Sequence, residues 1–235
     1  MKVTPEEAAR IKAAVEAAEA GTSGEISCVV TPSVGDFRDT PLYWAASAAL
    51  ILPAAALLLG FRPEMLTTLF GGGWSAGHEA EAQGAIFSTL VTYIGLQAAI
   101  FVAVALLVSI PPVRRALTPA PRKADLVHRA AMAQFHALGL ANTHGRTGVL
   151  IFAAAAERRA EVVADAGIYP KVPQAAWDEV VGLLIEGLKQ DKVGDGFVAA
   201  VRRAGQILAE HAPPDGDNPN ETPDDLVIVT RGKTK

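Results

Sequence analysis

Three acidic side chains lie where carboxylates could do chemistry. Asp165 directly follows a short predicted strand, Asp195 lies between two glycines, and Glu157 lies in a charged turn. Because Ca²⁺ and Mg²⁺ prefer oxygen ligands, these residues are candidate ligands for a divalent cation, with Asp36 as a further donor. Asp165 is also the candidate catalytic carboxylate. The structural alternative is that Asp165 caps the following turn and Asp195 caps a helix.

Other catalytic chemistries lack the residues they need. Cys28 is the single cysteine, so it forms no internal disulfide, and Val34 stands where a cysteine phosphatase would need an arginine. The apolar run around Cys28 favours a buried strand residue over a reactive thiol. No pair of histidines has the spacing of a zinc site. The sequence therefore predicts no cofactor beyond a possible divalent cation.

Basic residues near the candidate carboxylates have two interpretations. Arg146, Arg158 and Arg159 could bind a phosphate group, but charged residues in a hairpin turn are usually only solvated. His144 is a lone histidine of a predicted loop, and a surface role is favoured over catalysis. The formal net charge of −4 argues against a general nucleic-acid binder, because no basic face dominates.

The elements that must position these residues are alternating helices and strands. Thr4-Pro5-Glu6-Glu7 is a typical helix start, and the apolar run 147–156 is typical of a strand covered on both faces. We predict helices, strands and one possible edge strand as follows: helices 5–20, 123–140, 174–189 and 198–211, strands 25–31, 147–156 and 160–164, and the edge strand 226–229. Together they predict an α/β fold, a three-layer α/β/α sandwich around a small mixed sheet.

Two uncharged apolar stretches, about 42–61 and 89–110, interrupt this pattern after the first strand. Each is long enough to cross a bilayer, for which roughly 20 helical residues suffice. Neither contains an ionisable side chain other than Tyr43 and Tyr93, so an anchor is favoured over a transporter. In the predicted organisation, residues 1–40 and 123–211 are two segments of one α/β domain, residues 41–112 are a transmembrane hairpin, and residues 212–235 are an extended tail.

Charges flanking these stretches predict their direction. Arg114 and Arg115 follow the second stretch, whereas the loop between the stretches has Arg62 as its one cation, beside Glu64 and Glu79. The positive-inside rule then places both termini in the cytoplasm, with the protein in the inner (cytoplasmic) membrane. The acidic first 20 residues have no apolar core, so we expect no cleavable signal peptide.

The order of several short motifs resembles a known domain family. Two motifs, Thr143-His144-Gly145-Arg146-Thr147-Gly148 and Ala164-Asp165-Ala166-Gly167-Ile168, resemble the TPM domain. The opening motif Thr22-Ser23-Gly24-Glu25 and the tail segment Asn220-Glu221-Thr222-Pro223-Asp224 resemble its bacterial branch, in which a membrane hairpin splits the domain. The resemblance covers nearly all of the soluble portion. It implies an α/β/α sandwich, in agreement with the pattern of elements.

The resemblance also implies two functions. Members of the family protect or repair membrane complexes or modulate a receptor, and weak acid phosphatase activity is reported for a plant member. We therefore expect an integral membrane protein whose cytoplasmic domain is a non-enzymatic assembly or quality-control module, with the bilayer and membrane-protein complexes as partners. The alternative is a weak metal-dependent acid phosphatase that uses Asp165 at the membrane surface.

Overall fold

The computed structural model describes residues 3–60, 80–214 and 220–229. Two compact units are present: one combines Met1–Asp36 with Pro119–Lys235, and the other is Phe37–Thr118. The predicted loop between the apolar stretches, with Arg62, Glu64 and Glu79, lies outside the described residues, as do Phe61 and portions of the tail.

The first unit is built on a four-stranded mixed sheet. Its strands are β1 (Ile26–Thr31), β2 (Val149–Ala154), β3 (Arg159–Ala164) and β4 (Val227–Ile228), in the order β3-β2-β1-β4. β1 is parallel to β2 and β4, and β2 is antiparallel to β3. The strand that precedes the apolar stretches therefore pairs with strands far along the chain.

Helices cover both faces of this sheet. They are α1 (Pro5–Glu19), α5 (Ala120–Ala137), α6 (Gln174–Lys189) and α7 (Val193–His211). α1, α6 and α7 share one apolar core with one face of the sheet, and α5 packs on the other face. Burial on both faces explains the unbroken apolar sequence of β2, which is completely buried. The predicted three-layer α/β/α sandwich is confirmed.

The start of α1 shows how local sequence fixes an element. The Glu7 backbone N–H donates to Thr4 Oγ1 at 3.2 Å, and the Thr4 backbone N–H donates to Glu7 Oε2 at 2.8 Å. This reciprocal capping satisfies two backbone donors that a helix start otherwise leaves unpaired. The helix begins at Pro5, as predicted.

The second unit contains the two apolar stretches as helices α2 (Thr40–Leu58) and α3 (Ala80–Ser109), followed by α4 (Pro111–Leu117). α2 and α3 pack against each other. The segments Thr40–Leu58 and Leu90–Ser109 are long and apolar enough to cross a membrane. Only 22% of the first and 6% of the second is buried, which distinguishes them from core helices of a soluble protein.

Both covalent connections to the second unit leave the sandwich from one edge of the sheet. We call the edge where β1, β2 and β4 end the carboxyl edge, and the opposite one the amino edge. The chain continues from the end of β1 to Asp36, at the carboxyl edge. α5 spans about 27 Å and leads back to the start of β2, so its first residue also lies at the carboxyl edge.

Candidate functional site

Asp165 is a buried residue at the amino edge, directly after the last residue of β3. Ala164 pairs with Val149, the first residue of β2, because β3 runs antiparallel to β2. Ligands of open α/β sheets usually bind at the carboxyl ends of parallel strands. The hairpin predicted for these two strands is confirmed, and because a hairpin reverses β3, the residue that follows β3 lies at the amino edge. Asp165 therefore faces the edge opposite to the usual binding crevice.

The Asp165 carboxylate is held by three donors from neighbouring loops. Arg146 Nη2 donates to Oδ1 at 3.2 Å, Arg146 Nε donates to Oδ2 at 3.4 Å, and the Ala166 backbone N–H donates to Oδ1 at 2.6 Å. The Asp165 side chain is 6% exposed, whereas that of Arg146 is 61% exposed. The bond to Ala166 agrees with the predicted turn-capping role, and the carboxylate also pairs with Arg146.

Glycines let the two loops around Asp165 touch backbone to backbone. A Cβ on Gly167 would lie 2.3 Å from the Gly145 carbonyl oxygen, and one on Gly148 would lie 2.5 Å from that of Leu140. The Gly167 backbone N–H donates to the Arg146 carbonyl oxygen at 3.0 Å. The glycines of these two motifs are thus explained by close packing of two loops, which the ion pair between buried Asp165 and exposed Arg146 joins.

Glu157 lies at the other end of β3, in the turn between β2 and β3. Its Oε1 accepts a hydrogen bond from Ser33 Oγ at 2.6 Å, and its Oε2 accepts one from the Val34 backbone N–H at 3.4 Å. These bonds hold the segment between β1 and Asp36, through which the chain enters the second unit. Glu157 therefore positions a connection at the carboxyl edge.

Asp195 lies on the surface of α7 and pairs with α1. Arg10 Nη2 donates to Asp195 Oδ1 at 2.7 Å, and both side chains are more than half exposed. The helix predicted over 198–211 begins earlier in the structure, at Val193, so Asp195 lies in its first turn. The glycines have a packing reason instead: a Cβ on Gly194 would lie 2.8 Å from the Glu7 side chain.

The structure does not bring the three candidate metal ligands together. Asp165 and Glu157 lie at opposite ends of β3, roughly 20 Å apart at about 3.3 Å per residue. α7 runs from the carboxyl edge to Ala212, whose carbonyl oxygen accepts from the Ser23 backbone N–H at the amino edge. Asp195, in the first turn of α7, therefore lies far from Asp165.

These separations exceed what one ion can bridge, since Ca²⁺ ligands lie about 2.3–2.6 Å from the metal. Within residues 3–60, 80–214 and 220–229, no group of three or more His, Cys, Asp or Glu side chains is placed to hold a metal ion. A metal role for any one of the three carboxylates stays a prediction.

The basic candidates also lie apart. Arg146 is at the amino edge, engaged with Asp165, whereas Arg158 and Arg159 lie at the start of β3. His144 begins a short 3-10 turn, and its side chain lies outside the described portion of the chain. Cys28 is completely buried in β1, and this burial raises the pKa of its thiol far above its ordinary value.

A buried carboxyl cluster at the amino edge was missed by the sequence reasoning. Glu25, 2% exposed, accepts from the Thr222 backbone N–H at 3.2 Å and from Thr222 Oγ1 at 2.9 Å, both through Oε2. Its Oε1 has no hydrogen-bond partner among the described residues. Glu19 Oε1 accepts from the Ile26 backbone N–H at 2.7 Å. The side chain of Glu25 therefore binds the tail, through Thr222, to the segment before β1.

The environment of Glu19 favours its protonated form. The pKa of Glu19 is raised to about 8, chiefly by burial and also by the neighbouring carboxylates of Glu25 and Asp224, and the hydrogen bond from Ile26 partly opposes this rise. The signal in the sequence was the motif Thr22-Ser23-Gly24-Glu25 together with the tail acids. Nothing in their spacing showed that the tail returns to this edge.

The fold and the site define a class of protein: an α/β/α sandwich divided in sequence by two helices that are candidate membrane spans. Residues 116–207 match the family model described as TPM domain. The predicted resemblance to the TPM domain is therefore confirmed over residues 116–207. The matched region includes α5, β2, β3, α6 and most of α7, whereas α1, β1 and β4 complete the same sandwich from outside it.

One solved structure is similar over most of the chain. It is described as the NMR structure of BA42 protein from the psychrophilic bacteria Bizionia argentinensis sp. nov.. The sequence identity is 19%, the TM-score is 0.54, and 97% of each chain is covered. At this identity the similarity concerns the fold alone. No curated protein matches the chain.

Proposed function

We propose that the protein is a membrane-anchored module whose TPM domain binds membrane-protein complexes at the cytoplasmic face of the inner membrane. The observation that carries this proposal is the exposed apolar surface of α2 and α3. Large side chains such as Leu50, Ile51 and Leu106 are more than half exposed. Exposed apolar surface of this extent costs free energy in water and is stable in lipid.

The position of the two helices supports a role at the membrane surface. They are inserted between β1 and β2, and both connections leave the sandwich from its carboxyl edge. A domain held by two nearby connections has less freedom than one held by a single flexible linker. Such a domain is suited to contacts with neighbouring membrane proteins.

The cytoplasmic orientation rests on the flanking charges. Arg114, Arg115, Arg122 and Lys123 follow the second apolar helix closely. Cationic residues near the ends of membrane spans are retained on the cytoplasmic side. The single reduced cysteine is compatible with that compartment.

No observation favours the phosphatase alternative over this role. Asp165, the candidate catalytic carboxylate, is bound by Arg146, and the other candidate acids lie far from it. Release of phosphate from a generic phosphate ester, abolished in Asp165→Asn and retained in Asp178→Asn, would support the phosphatase. Equal activity in both variants would exclude Asp165 as the catalytic carboxylate.

Chemical cross-linking in native membranes tests the proposed module. The tagged full-length chain is cross-linked in the cells that produce it, purified in detergent and analysed by mass spectrometry. An unrelated membrane protein with two spans, expressed to the same level, is the control. We expect a reproducible set of membrane proteins that the control does not capture. Identical protein sets from both chains would contradict the proposal.

A further inference from the structure

The outer edge of β3 is open. Among the residues that the structure describes, β3 is the end strand of the sheet, and all six of its residues are partly exposed. The Asp165 backbone N–H donates to the Gly148 carbonyl oxygen at 2.9 Å. Because bonded and non-bonded positions alternate along an antiparallel pair, Ala160, Val162 and Ala164 point their backbone N–H and C=O groups outward.

Two helices form the walls of a groove along this edge. Both α5 and α6 contact β3 more than they contact any other strand of the sheet. The groove has a volume of about 460 Å³. Tyr169, Trp177 and Val181 line the side of α6, and His128 and Met132 line the side of α5. One wall is therefore apolar and aromatic, and the other is mixed.

A second copy of this domain does not fit the groove. If two β3 strands paired, they would lie about 4.8 Å apart. Because α6 contacts the sheet mainly through β3, the α6 helices of the two copies would then be closer than the 8–10 Å that packed helices need. An isolated extended segment has no such helices and fits beside β3. Strand addition to an open sheet edge is a known mode of peptide recognition.

Unpaired cations lie at the start of β3. Arg158 is exposed and Arg159 is partly exposed, and no hydrogen bond or ion pair joins either guanidinium to another residue that the structure describes. An acidic side chain at the corresponding end of an added strand would be their complement.

We propose that the edge groove, formed by β3, α5 and α6, binds an extended segment of a partner protein as an added strand. The segment carries apolar side chains at alternate positions, which face the wall that contains Tyr169 and Val181, and an acidic residue beside Arg158 and Arg159. This proposal rests on the proposed function, in which the TPM domain binds proteins, and assigns the binding site and the chemistry of the partner.

The test uses a labelled peptide and the full-length chain in detergent. The probe is fluorescein-labelled Val-Thr-Val-Thr-Val-Asp-amide, which places its acid beside the start of β3 when it binds antiparallel. Fluorescence anisotropy measures its affinity. A second peptide, Val-Thr-Pro-Thr-Val-Asp-amide, lacks one backbone donor, and a third ends in Lys. We expect each substitution to weaken binding at least tenfold.

Two matched variants locate the binding edge. Val162→Pro removes an outward N–H of β3 without removing a bond to β2, and we expect at least tenfold weaker peptide binding. Ile228→Pro is the control at the opposite edge of the sheet. The Val229 backbone N–H donates to the Val30 carbonyl oxygen, so the N–H of Ile228 points outward. Equal binding by Val162→Pro and the unmodified chain would overturn the proposal.

Hydrogen exchange supplies a measurement that needs no variant. Bound peptide should slow amide exchange at Ala160, Val162 and Ala164 and leave Val227 and Ile228 unchanged. Absence of any binding, or protection elsewhere only, would overturn the proposal, as would a dimer that Val162→Pro dissociates. Peptide binding without captured membrane partners would support the groove and contradict the proposed function. Captured partners without peptide binding would contradict the groove alone.

Discussion

Glu19 makes the stability of the sandwich depend on pH in a direction unusual for a carboxyl group. Its pKa rises from an ordinary 4.5 to about 8 in the folded protein, chiefly because of burial. The unfolded chain releases this proton above pH 4.5, whereas the folded chain retains it until about pH 8. The contribution of protonated Glu19 to the stability of the folded domain is therefore complete below pH 4.5 and is lost as the pH rises through 8.

The magnitude follows from the shift and from the exposure of the side chain. A rise from 4.5 to about 8 corresponds to at most about 5 kcal/mol, at 1.36 kcal/mol per pKa unit. Glu19 is only partly buried, so solvent screens some of this effect, and we expect about 1–2 kcal/mol. Glu19→Gln keeps an acceptor for the Ile26 N–H but cannot ionise.

The assay is amide hydrogen exchange of β1 in the full-length chain, corrected for intrinsic rates at each pH. We expect the free energy of unfolding of Glu19→Gln to equal that of the unmodified chain near pH 5 and to exceed it by about 1–2 kcal/mol at pH 9. Glu16→Gln, an exposed position on the same helix, is the control and should not change the pH dependence. An equal loss of stability between pH 5 and 9 in Glu19→Gln and the unmodified chain would refute this reasoning.

Three further predictions concern packing, and the urea concentration at which the domain unfolds measures each. Asp165→Ala removes a buried carboxylate and its bonds to Arg146, and it should lower the free energy of unfolding by about 1–3 kcal/mol. Asp178→Ala, at an exposed site, should lower it by less than about 0.5 kcal/mol, and equal effects would contradict a stabilising role of the Asp165–Arg146 pair. Gly167→Ala places a Cβ 2.3 Å from a carbonyl oxygen and should destabilise the domain. Gly182→Ala, where no atom lies within 4 Å of the added Cβ, should stabilise the domain by about 0.5–1 kcal/mol, and stabilisation by both variants would contradict the close packing of the loops around Gly167. Leu184→Ala removes a completely buried side chain and should lower the free energy of unfolding by about 2–5 kcal/mol. Leu183→Ala, at a position 41% exposed, should lower it much less, and the reverse order would contradict the assignment of Leu184 to the buried face of α6.

The sequence predicted the layers well because they depend on local patterns. The capped start of α1, the apolar run of β2 and the spacing of α6 each reflect the burial of one element. The pairing of β1 with later strands was also predictable, since an isolated strand cannot bury its faces.

The candidate site was harder to predict because it depends on strand direction and on long-range return of the chain. Asp165 follows a strand and that strand forms the predicted hairpin, but which loops meet Asp165 at the amino edge depends on contacts that the hairpin alone does not define. Glu25 meets Thr222 across almost the whole length of the chain. Hydrophobic periodicity contains no information about such contacts. Gly194 and Gly196 are explained by close helix packing, which their position before the predicted helix 198–211 did not indicate.

The central claim is that residues 37–118 hold the α/β/α sandwich in the membrane. Alkaline carbonate extraction compares the full-length chain with a variant in which a Gly/Ser linker replaces these residues. The linker can join Asp36 to Pro119, because both lie at the carboxyl edge. We predict that the full-length chain stays in the membrane pellet and that the variant is found in the supernatant. A full-length chain released by carbonate, or a variant that stays in the pellet, would contradict the claim.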